Sequence, residues 1–275
     1  MTTRYLTRNP CYRLGRTIRV RGLMLHSVGT AQPDPLVFIR QFDSPDYTRA
    51  CVHGFVGPEE TWVTLPILET PGTAMRGWHG GRTASNDAYI GIEMTEPDTI
   101  RYTGGASFQV LDRDAAIAHV RQVLDRAEDL FAQLCRFHGL DPLADGVILS
   151  HAEGGRRGIA TNHADPEHLW TGLGIDYTMD RFRQNVAARL AQPSKEEDLD
   201  MTLEEFLDQL TDQQAYQLMQ KAHRHAASLP EPDWSRTEGG WEAATGLGLT
   251  DGTAPERPAK RAEVAAMLYR LGLLE

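Results

Sequence analysis

Two short apolar segments that lie far apart in the sequence both lead to a histidine. The first runs from Val20 to His26, and the second runs from Gly146 to Ser150 and delivers His151. Short runs rich in Val, Ile and Leu are typical of strands, which hold their end residues on a rigid backbone. A catalytic metal ion needs a few nitrogen or oxygen ligands that converge from rigid positions, with one position left for water. If His26 and His151 bind one ion, the fold must bring these two segment ends together.

The segment from Ser150 to Trp170 is rich in potential metal ligands. It contains three histidines, one aspartate and two glutamates, among Gly and Pro residues that predict an irregular loop. This loop could supply two ligands, His151 and Asp165. Together with His26 they predict a catalytic metal site and hence a hydrolase.

A single carboxylate interrupts another apolar strand. Glu93 lies in the segment from Tyr89 to Pro97. Because the faces of a strand alternate, two interpretations stay open. Glu93 is either a general base that takes the proton of a metal-activated water or a strand residue that faces solvent. The other histidines are expected to be structural or to pack, and they are His53, His119, His138, His168, His223 and His225.

The bulk composition is that of a globular protein. The chain has 275 residues, of which 41% are hydrophobic and 24% charged, so it has room for one large domain or two unequal ones. No apolar run is long enough for membrane insertion, and the first residues lack the hydrophobic core of a signal peptide. We therefore expect synthesis in the cytoplasm and export by another route. The three cysteines, Cys11, Cys51 and Cys135, are widely spaced and predict free thiols.

The net charge of −10 is unevenly distributed. Residues 1–192 carry 20 arginines and no lysine against 22 acidic residues, whereas residues 193–275 carry 8 basic and 16 acidic residues. Neither part has the basic excess of a nucleic-acid-binding protein, so no nucleic-acid partner is expected. The acidic tail suits a neutral or cationic partner, or it serves only solubility.

Hydrophobic periodicity predicts a sheet with helices packed on its faces. The predicted strands are Val20 to His26, Ala50 to Val56, Trp62 to Leu65, Tyr89 to Met94 and Gly146 to Ser150. The predicted helices are Asp112 to His138, capped by Asp112 or Asp114 and ended by Gly139, and Met179 to Leu190. The polar segment 193–200 is predicted to link this domain, residues 1–192, to a smaller and mainly α-helical domain, residues 201–275.

Six sequence pieces between residues 4 and 190 occur in the order found in one known superfamily. They are Asn9-Pro10-Cys11-Tyr12, Met24 to Gly29, Cys51 to Phe55, Trp78-His79-Gly80-Gly81, Asn86 to Pro97, and Ser150 to Trp170. On these pieces the chain resembles a zinc-dependent N-acetylmuramoyl-L-alanine amidase of the type 2 amidase and peptidoglycan-recognition-protein superfamily. It most resembles the amidase domains of endolysins from phages of clostridia and related Firmicutes.

The resemblance implies a fold and a set of roles. The implied fold is α/β, with a central mixed β-sheet flanked by helices and Zn²⁺ in a groove. His26, His151 and Asp165 would be the zinc ligands, and Glu93 would be the catalytic base. Some phage amidases have a tyrosine where this chain has Val52, and members without that tyrosine use the glutamate.

Position 163 departs from the family pattern. Related amidases have a lysine two residues before the third ligand, where it helps to stabilise the oxyanion, and this chain has His163. His163 could do the same if it is protonated or donates a hydrogen bond. It could instead be a zinc ligand with Asp165 behind it, although the Asp-Pro pair matches the family and favours Asp165.

Substrate contacts are implied at two places. Trp78, His79 and Asn86 line the groove in relatives, so they are predicted to contact substrate or to support the zinc ligands. Arg156 and Arg157 could bind substrate carboxylates, or they could simply be exposed to solvent.

The tail resembles one unit of an S-layer-homology-type module, over Trp241 to Pro255 and Arg257 to Arg270. Such modules bind wall polysaccharide, usually as three units. The single unit predicts either an oligomer formed through the C-terminal domain or a role in folding and solubility. An internal translation start at Met201 could also produce a free tail.

The predicted function is peptidoglycan hydrolysis at the amide between N-acetylmuramic acid and L-alanine. The predicted partners are bacterial peptidoglycan and wall polysaccharide, and the predicted setting is an endolysin that reaches the wall through a holin pore. Two alternatives stay open: a non-catalytic peptidoglycan-binding protein and a cytoplasmic muropeptide-recycling amidase.

Overall fold

A computed structural model of the chain describes residues 1–192, together with residue 219, residues 244–247 and residue 264. The chain divides into two compact units, Met1–Ser194 and Lys195–Glu275. The predicted linker, the predicted C-terminal helices and the S-layer-like unit lie almost entirely outside the described residues, as do His223 and His225. The elements of the first unit carry the candidate site.

A six-stranded mixed sheet forms the centre of this unit. In spatial order its strands are β1 (Thr2–Thr3), β5 (Thr61–Val63), β4 (Gly54–Val56), β7 (Tyr89–Met94), β3 (Gly22–Ser27) and β10 (Ile148–Ser150). Neighbouring strands run parallel except β4 and β5, which are antiparallel. Two small antiparallel pairs complete the strands, β2 (Thr17–Arg19) with β6 (Thr73–Met75) and the hairpin of β8 (Ile100–Gly104) and β9 (Ser107–Val110).

Seven helices in the described part of the first unit surround these strands. They are α1 (Pro10–Leu14), α2 (Pro35–Phe42), α3 (Thr83–Asn86), α4 (Arg113–His138), α5 (His151–Arg156), α6 (Glu167–Leu173) and α7 (Met179–Leu190). The α/β fold with a central mixed sheet flanked by helices is therefore confirmed. No helix in the described part of the chain is both long and apolar enough to cross a membrane.

The long helix α4 shows how local sequence places the core. Asp112 caps it by accepting a hydrogen bond from the Ala115 amide, and Gly139 ends it in the left-handed conformation at a φ of 67°. Its apolar residues recur at helical spacing, so they form one face that packs in the main core with the sheet. The predicted helix from Asp112 to His138 is confirmed, with Asp112 as the cap.

Strand alternation divides the sheet residues between two faces. The side chains that belong to the α4 core are Leu23, Leu25, Ile90 and Ile92. Residues of the other parity in β3 and β7, His26 and Glu93, therefore point to the opposite face. This opposite face carries the candidate site.

The segment from Ser150 to Trp170 is more regular than its composition predicts. The prediction of an irregular loop is wrong here, because the segment contains α5 and the first half of α6. Ser150 and Glu153 form a capping box, in which each side chain accepts a hydrogen bond from the other residue's backbone amide. The Ser-x-x-Glu pattern that is typical of such a helix start is present in the sequence.

The predicted free thiols are confirmed. Cys11, Cys51 and Cys135 are all free and buried.

Candidate metal centre and active site

The register of the parallel strands brings the candidate residues to one edge of the sheet. His26 on β3 pairs with Glu93 on β7, and Glu93 pairs with Phe55 on β4. On the other side of β3, Ser150 of β10 pairs with Leu25, so His151 follows beside His26. Because in-register residues of parallel strands share a face, the two histidines and the glutamate meet at the carboxyl ends of their strands.

A short capped helix fixes His151. Ser150 Oγ accepts from the Glu153 amide at 3.0 Å, and Glu153 Oε2 accepts from the Ser150 amide at 3.1 Å. Arg183 of α7 pairs with both oxygens of Glu153 at 2.9 and 3.0 Å. His151 therefore occupies the first position of a helix whose start is anchored to the neighbouring elements.

Three side chains converge in a geometry that could hold a metal ion. His26 Nδ1 lies 3.0 Å from His151 Nδ1. Asp165 Oδ2 lies 3.4 Å from the first nitrogen and 3.5 Å from the second. Ligands of a tetrahedral zinc ion with bonds of roughly 2.0–2.1 Å would be about 3.3 Å apart. All three residues are buried, and these atoms form the candidate metal group.

The opposite nitrogen of each histidine ring already has a partner. His26 Nε2 lies 3.0 Å from His79 Nδ1, and His151 Nε2 lies 3.0 Å from the Thr161 hydroxyl. Each ring thus turns its Nδ1 toward the carboxylate. Burial alone would raise the pKa of Asp165, but favourable interactions with the surrounding histidines outweigh burial and lower it. Asp165 is therefore an anion at neutral pH, as a metal ligand must be.

The position of His163 bears on its two predicted roles. Its Nδ1 lies 3.5 Å from Asp165 Oδ1, and its side chain is 59% exposed. Asp165, not His163, faces both Nδ1 atoms, so the geometry favours Asp165 as the third ligand. The hydrogen bond to Asp165 raises the pKa of His163, although partial burial opposes the shift. A protonated or hydrogen-bond-donating His163 fits support of an oxyanion.

Glu93 faces the same cavity as these residues, not bulk solvent. Its Oε2 is fully shielded and has no hydrogen-bond partner among the described residues. Burial raises the pKa of Glu93 well above its usual range, and the nearby carboxylates of Asp165 and Glu96 add to the shift. A buried carboxylate with a raised pKa beside a candidate metal site is a candidate general base.

A groove runs across this centre. A cavity of about 770 Å³ contains the three candidate ligands and Glu93. Its lining includes an aromatic cluster that consists of Phe38, Phe42, Tyr47 and Phe55. A second cavity of about 600 Å³ adjoins the first and shares His163 and His168 with it. This second cavity includes the charged side chains of Arg156 and Glu167.

Comparison with known proteins gives the family. Residues 16–168 match the profile of the family described as N-acetylmuramoyl-L-alanine amidase. This match spans more than half of the 275-residue chain. The chain belongs to this family.

Several solved structures are similar to this amidase family member, at low identity. The Staphylococcus aureus hydrolase AmiA in complex with its ligand is 19% identical, with 62% of this chain and 73% of that chain covered and a TM-score of 0.47. A mutant endolysin from Bacillus subtilis is 18% identical, with coverage of 67% and 97% and a TM-score of 0.46. The N-acetylmuramyl-L-alanine amidase AmiD from E. coli is 18% identical, with coverage of 58% and 59% and a TM-score of 0.34. No curated protein sequence matched the chain.

The substrate contacts predicted from the amidase resemblance fall at different places. Trp78 is half-buried and pairs through its backbone with Cys51, outside the lining of both cavities. Asn86 is buried, and its Oδ1 accepts from the His79 and Gly80 amides, both at 3.0 Å. His79 lines the first cavity but has both ring nitrogens engaged. Asn86 and His79 are thus placed to support the candidate metal centre.

The two adjacent arginines point in different directions. Arg156 lines the second cavity, is 62% exposed in its side chain and lies 3.4 Å from Glu167. Arg157 instead pairs with Asp145, and it is outside the lining of both cavities. The geometry therefore favours Arg156 as a substrate contact, and for Arg157 it favours the other interpretation, a solvent-exposed side chain.

The sequence did not identify one hydrogen-bond network beside the amidase site. Tyr102 of the β8–β9 hairpin donates to Glu96 Oε2 at 2.6 Å and lies 2.6 Å from His168 Nε2. Glu96 Oε1 accepts from the Gly29 amide at 2.9 Å. The network joins the hairpin, the end of β7 and helix α6. A second carboxylate three residues after Glu93 was the one available signal, because Tyr102 joins it only through the tertiary fold.

Proposed function

We propose that this chain is a zinc-dependent amidase that hydrolyses the bond between the lactyl group of N-acetylmuramic acid and L-alanine in peptidoglycan. The observation that carries the proposal is the convergence of His26, His151 and Asp165 beside the shielded carboxylate of Glu93. Two imidazoles and one carboxylate favour zinc over magnesium or calcium, which prefer oxygen ligands throughout.

The residues of the site divide the work of amide hydrolysis. When bound, zinc supplies Lewis-acid polarisation of the scissile carbonyl and of the attacking water. Glu93 takes a proton from that water and delivers it to the nitrogen of the leaving L-alanine, so the amine departs neutral. His163 donates a hydrogen bond to the carbonyl oxygen as negative charge develops on it.

The groove has two arms that suit the two parts of this substrate. The aromatic arm is the part of the first cavity that contains Tyr47, and the other arm is the second cavity, which contains Arg156. The half-buried ring of Tyr47, which stacks on the buried ring of Phe42, offers an aromatic surface for an uncharged sugar ring. Arg156 offers a guanidinium to the carboxylates of the stem peptide. We therefore assign the sugar to the aromatic arm and the peptide to the arm that contains Arg156.

The proposal is tested with purified peptidoglycan and the variant Glu93→Gln. The wild type should release peptides with a free amino-terminal L-alanine, identified by mass spectrometry, and a chelator should stop the release. Glu93→Gln should lower kcat by roughly 10²–10⁴-fold because it removes the proton acceptor. Its zinc content should equal that of the wild type, because Glu93 is not a candidate ligand.

Glu60→Gln is the matched control, since Glu60 is an exposed carboxylate on the β4–β5 turn. Near-normal release of peptides by Glu93→Gln would contradict the mechanism. Binding of the wild type to peptidoglycan with no release of peptides would indicate a non-catalytic binding protein instead.

We also propose the setting of this reaction. The S-layer-like tail would bind wall polysaccharide and deliver the amidase unit to the wall, with assembly of tails from several chains, including any translated from Met201. Synthesis in the cytoplasm and release through a holin pore would make the protein an endolysin. The proposed wall binding rests on the sequence resemblance of the tail, which lies almost entirely outside the described residues.

A further inference from the structure

We propose that His79 is a positioning residue, which selects the ring nitrogen that His26 presents to the metal ion. His79 does this by accepting a hydrogen bond from His26 Nε2, over 3.0 Å. This role rests on the proposed zinc centre and goes beyond it, because His79 is not among the three candidate ligands.

The proton positions on His79 and His26 follow from the backbone carbonyl of Tyr89, which contacts His79. His79 Nε2 lies 3.0 Å from the Tyr89 carbonyl oxygen, which can only accept a hydrogen bond. His79 Nε2 must therefore carry the proton. A neutral imidazole has one N–H, so His79 Nδ1 is left as an acceptor.

The tautomer of His26 is then determined as well. His26 Nε2 faces the acceptor His79 Nδ1, so His26 carries its proton on Nε2. The lone pair of His26 is consequently on Nδ1, which faces His151 Nδ1 and the Asp165 carboxylate. The opposite tautomer of His26 would place a proton where the metal binds and would set two lone pairs against each other at His79.

The surroundings hold the His79 ring in this orientation. A Cβ atom at Gly91 would lie 2.3 Å from His79 Cγ and 2.4 Å from Nδ1, so β7 lets the ring lie close only because residue 91 is glycine. Asn86 fixes the backbone on the other side through the His79 and Gly80 amides. The ring of His53 packs edge-on against His79 at 5.5 Å between centroids.

His79 therefore has no ring nitrogen left for substrate. The residue is only 9% exposed, and each nitrogen has a protein partner. Of its two predicted roles, contact with substrate or support of the zinc ligands, the hydrogen bonds favour support. Partners of this kind orient a ligating histidine and raise its basicity.

Two variants of the full chain separate hydrogen bonding from packing. In His79→Asn the amide oxygen lies near the place of Nδ1 and can still accept from His26. In His79→Gln the terminal amide lies near the place of Nε2, so it can reach the Tyr89 carbonyl but not His26. Zinc affinity is measured by competition with a chromophoric chelator, and the visible absorption of the Co²⁺ form reports the geometry at the ion.

We expect His79→Gln to weaken zinc binding by about 10–100-fold and to change the Co²⁺ spectrum. His79→Asn should stay within about threefold of the wild type. Equal affinities for all three proteins would overturn the proposal. The proposal would also be overturned if both variants lost the same zinc affinity and the loss followed their lower thermal stability in the metal-free form. Packing alone would then explain the loss. Failure of the wild type to bind zinc at all would instead overturn the proposed zinc centre.

A measurement on the zinc-loaded wild type covers the case in which a variant does not fold. Nitrogen-15 NMR of the histidine rings should show His79 protonated at Nε2, with a coupling across the hydrogen bond from His26 Nε2 to His79 Nδ1. A proton on His79 Nδ1 would overturn the proposal without any substitution.

Discussion

The buried histidine His53 lies near the site and is hydrogen-bonded to backbone groups at both ring nitrogens. His53 accepts from the Gly91 amide at Nδ1 and donates to the Met75 carbonyl from Nε2, at 2.9 and 2.8 Å. Burial lowers the pKa of His53 to about 4. The unfolded chain, in which histidine titrates near 6.5, therefore binds more protons than the folded chain once the pH falls below that value.

The sign of this difference makes His53 a source of acid sensitivity. Its stabilising contribution is complete above about pH 6.5 and is lost as the pH falls toward 4. Between pH 7 and pH 5 the loss from this one residue should be about 2 kcal/mol of unfolding free energy. In His53→Gln, which keeps the donor to Met75, this part of the decrease should disappear in urea titrations of the metal-free chain. An unchanged pH dependence in the variant would show that His53 titrates normally.

Arg156 and Arg157 are adjacent in sequence but differ in what they contact. Arg156→Ala should raise KM for peptidoglycan by about threefold to tenfold, because an exposed guanidinium contributes on the order of 1 kcal/mol to binding a carboxylate. Arg157→Ala is the matched control and should leave KM unchanged, since its side chain pairs with Asp145 outside both cavities. Steady-state kinetics on soluble muropeptides distinguish the two. A larger effect from Arg157 would reverse our assignment of the peptide arm.

Among the secondary-structure elements, the start of α5 couples helix stability to the candidate metal centre. Ser150 caps this helix, and its hydroxyl also donates to Glu167 at the start of α6 at 2.6 Å. These two helices flank the loop that contains Asp165. Loss of the cap should therefore loosen both His151 and Asp165.

Ser150→Ala tests this coupling. Loss of an N-cap costs about 0.5–2 kcal/mol of unfolding free energy, and we expect zinc affinity to fall in parallel by up to about tenfold. Thr178→Ala removes the equivalent cap of α7, where the Thr178 hydroxyl accepts from the Arg181 amide at 3.2 Å. This control should lose similar stability and keep its zinc affinity. Equal zinc affinities in the two variants would show that the α5 cap does not hold the site.

Other elements are joined by polar contacts that lie far from the site. Glu128 is buried on α4 and accepts from Tyr177 and from Asn185 and Arg189 of α7. This satisfied carboxylate ties the two outer helices together, and its neighbours are the reason that it is tolerated in a core-facing position. The cluster stabilises the layer behind the sheet, on the face opposite the candidate site.

Across the whole molecule, the two compact units have different charge. The first unit is nearly neutral, and most of the net negative charge lies in residues 193–275. Under the proposed function, the first unit carries the chemistry and the acidic second unit carries the attachment to the wall.

Removal of residues 195–275 tests this division of labour. The shortened chain should cleave soluble muropeptides at a rate within about twofold of the full chain, because the candidate site is complete within residues 26–172. Its adsorption to purified cell walls, measured by sedimentation, should fall at least about tenfold if the tail supplies most of the binding. Unchanged adsorption would argue against a wall-binding tail and would be compatible with a cytoplasmic recycling enzyme.

The main strands, the long helix α4 and the identity of the candidate ligands could all be predicted from the amino-acid sequence. These features are local: apolar residues at period two or 3.6 define strands and helices, and His26 and His151 are placed by the strands that precede them. The sequence also identified Glu93 as a candidate general base. It could not separate this role from that of a solvent-facing strand residue, because a strand pattern does not say which face is covered.

The orientation and support of these side chains depend instead on the tertiary fold. The contact of His26 with His79 spans 53 residues, and that of Tyr102 with His168 spans 66 residues. Likewise, Arg156 and Arg157 differ only in which elements lie beside them. The physical reason is that hydrogen bonds and ion pairs form between groups that the folded sheet brings within about 3 Å. Hydrophobic periodicity specifies the sheet, but it carries no information about those distant partners.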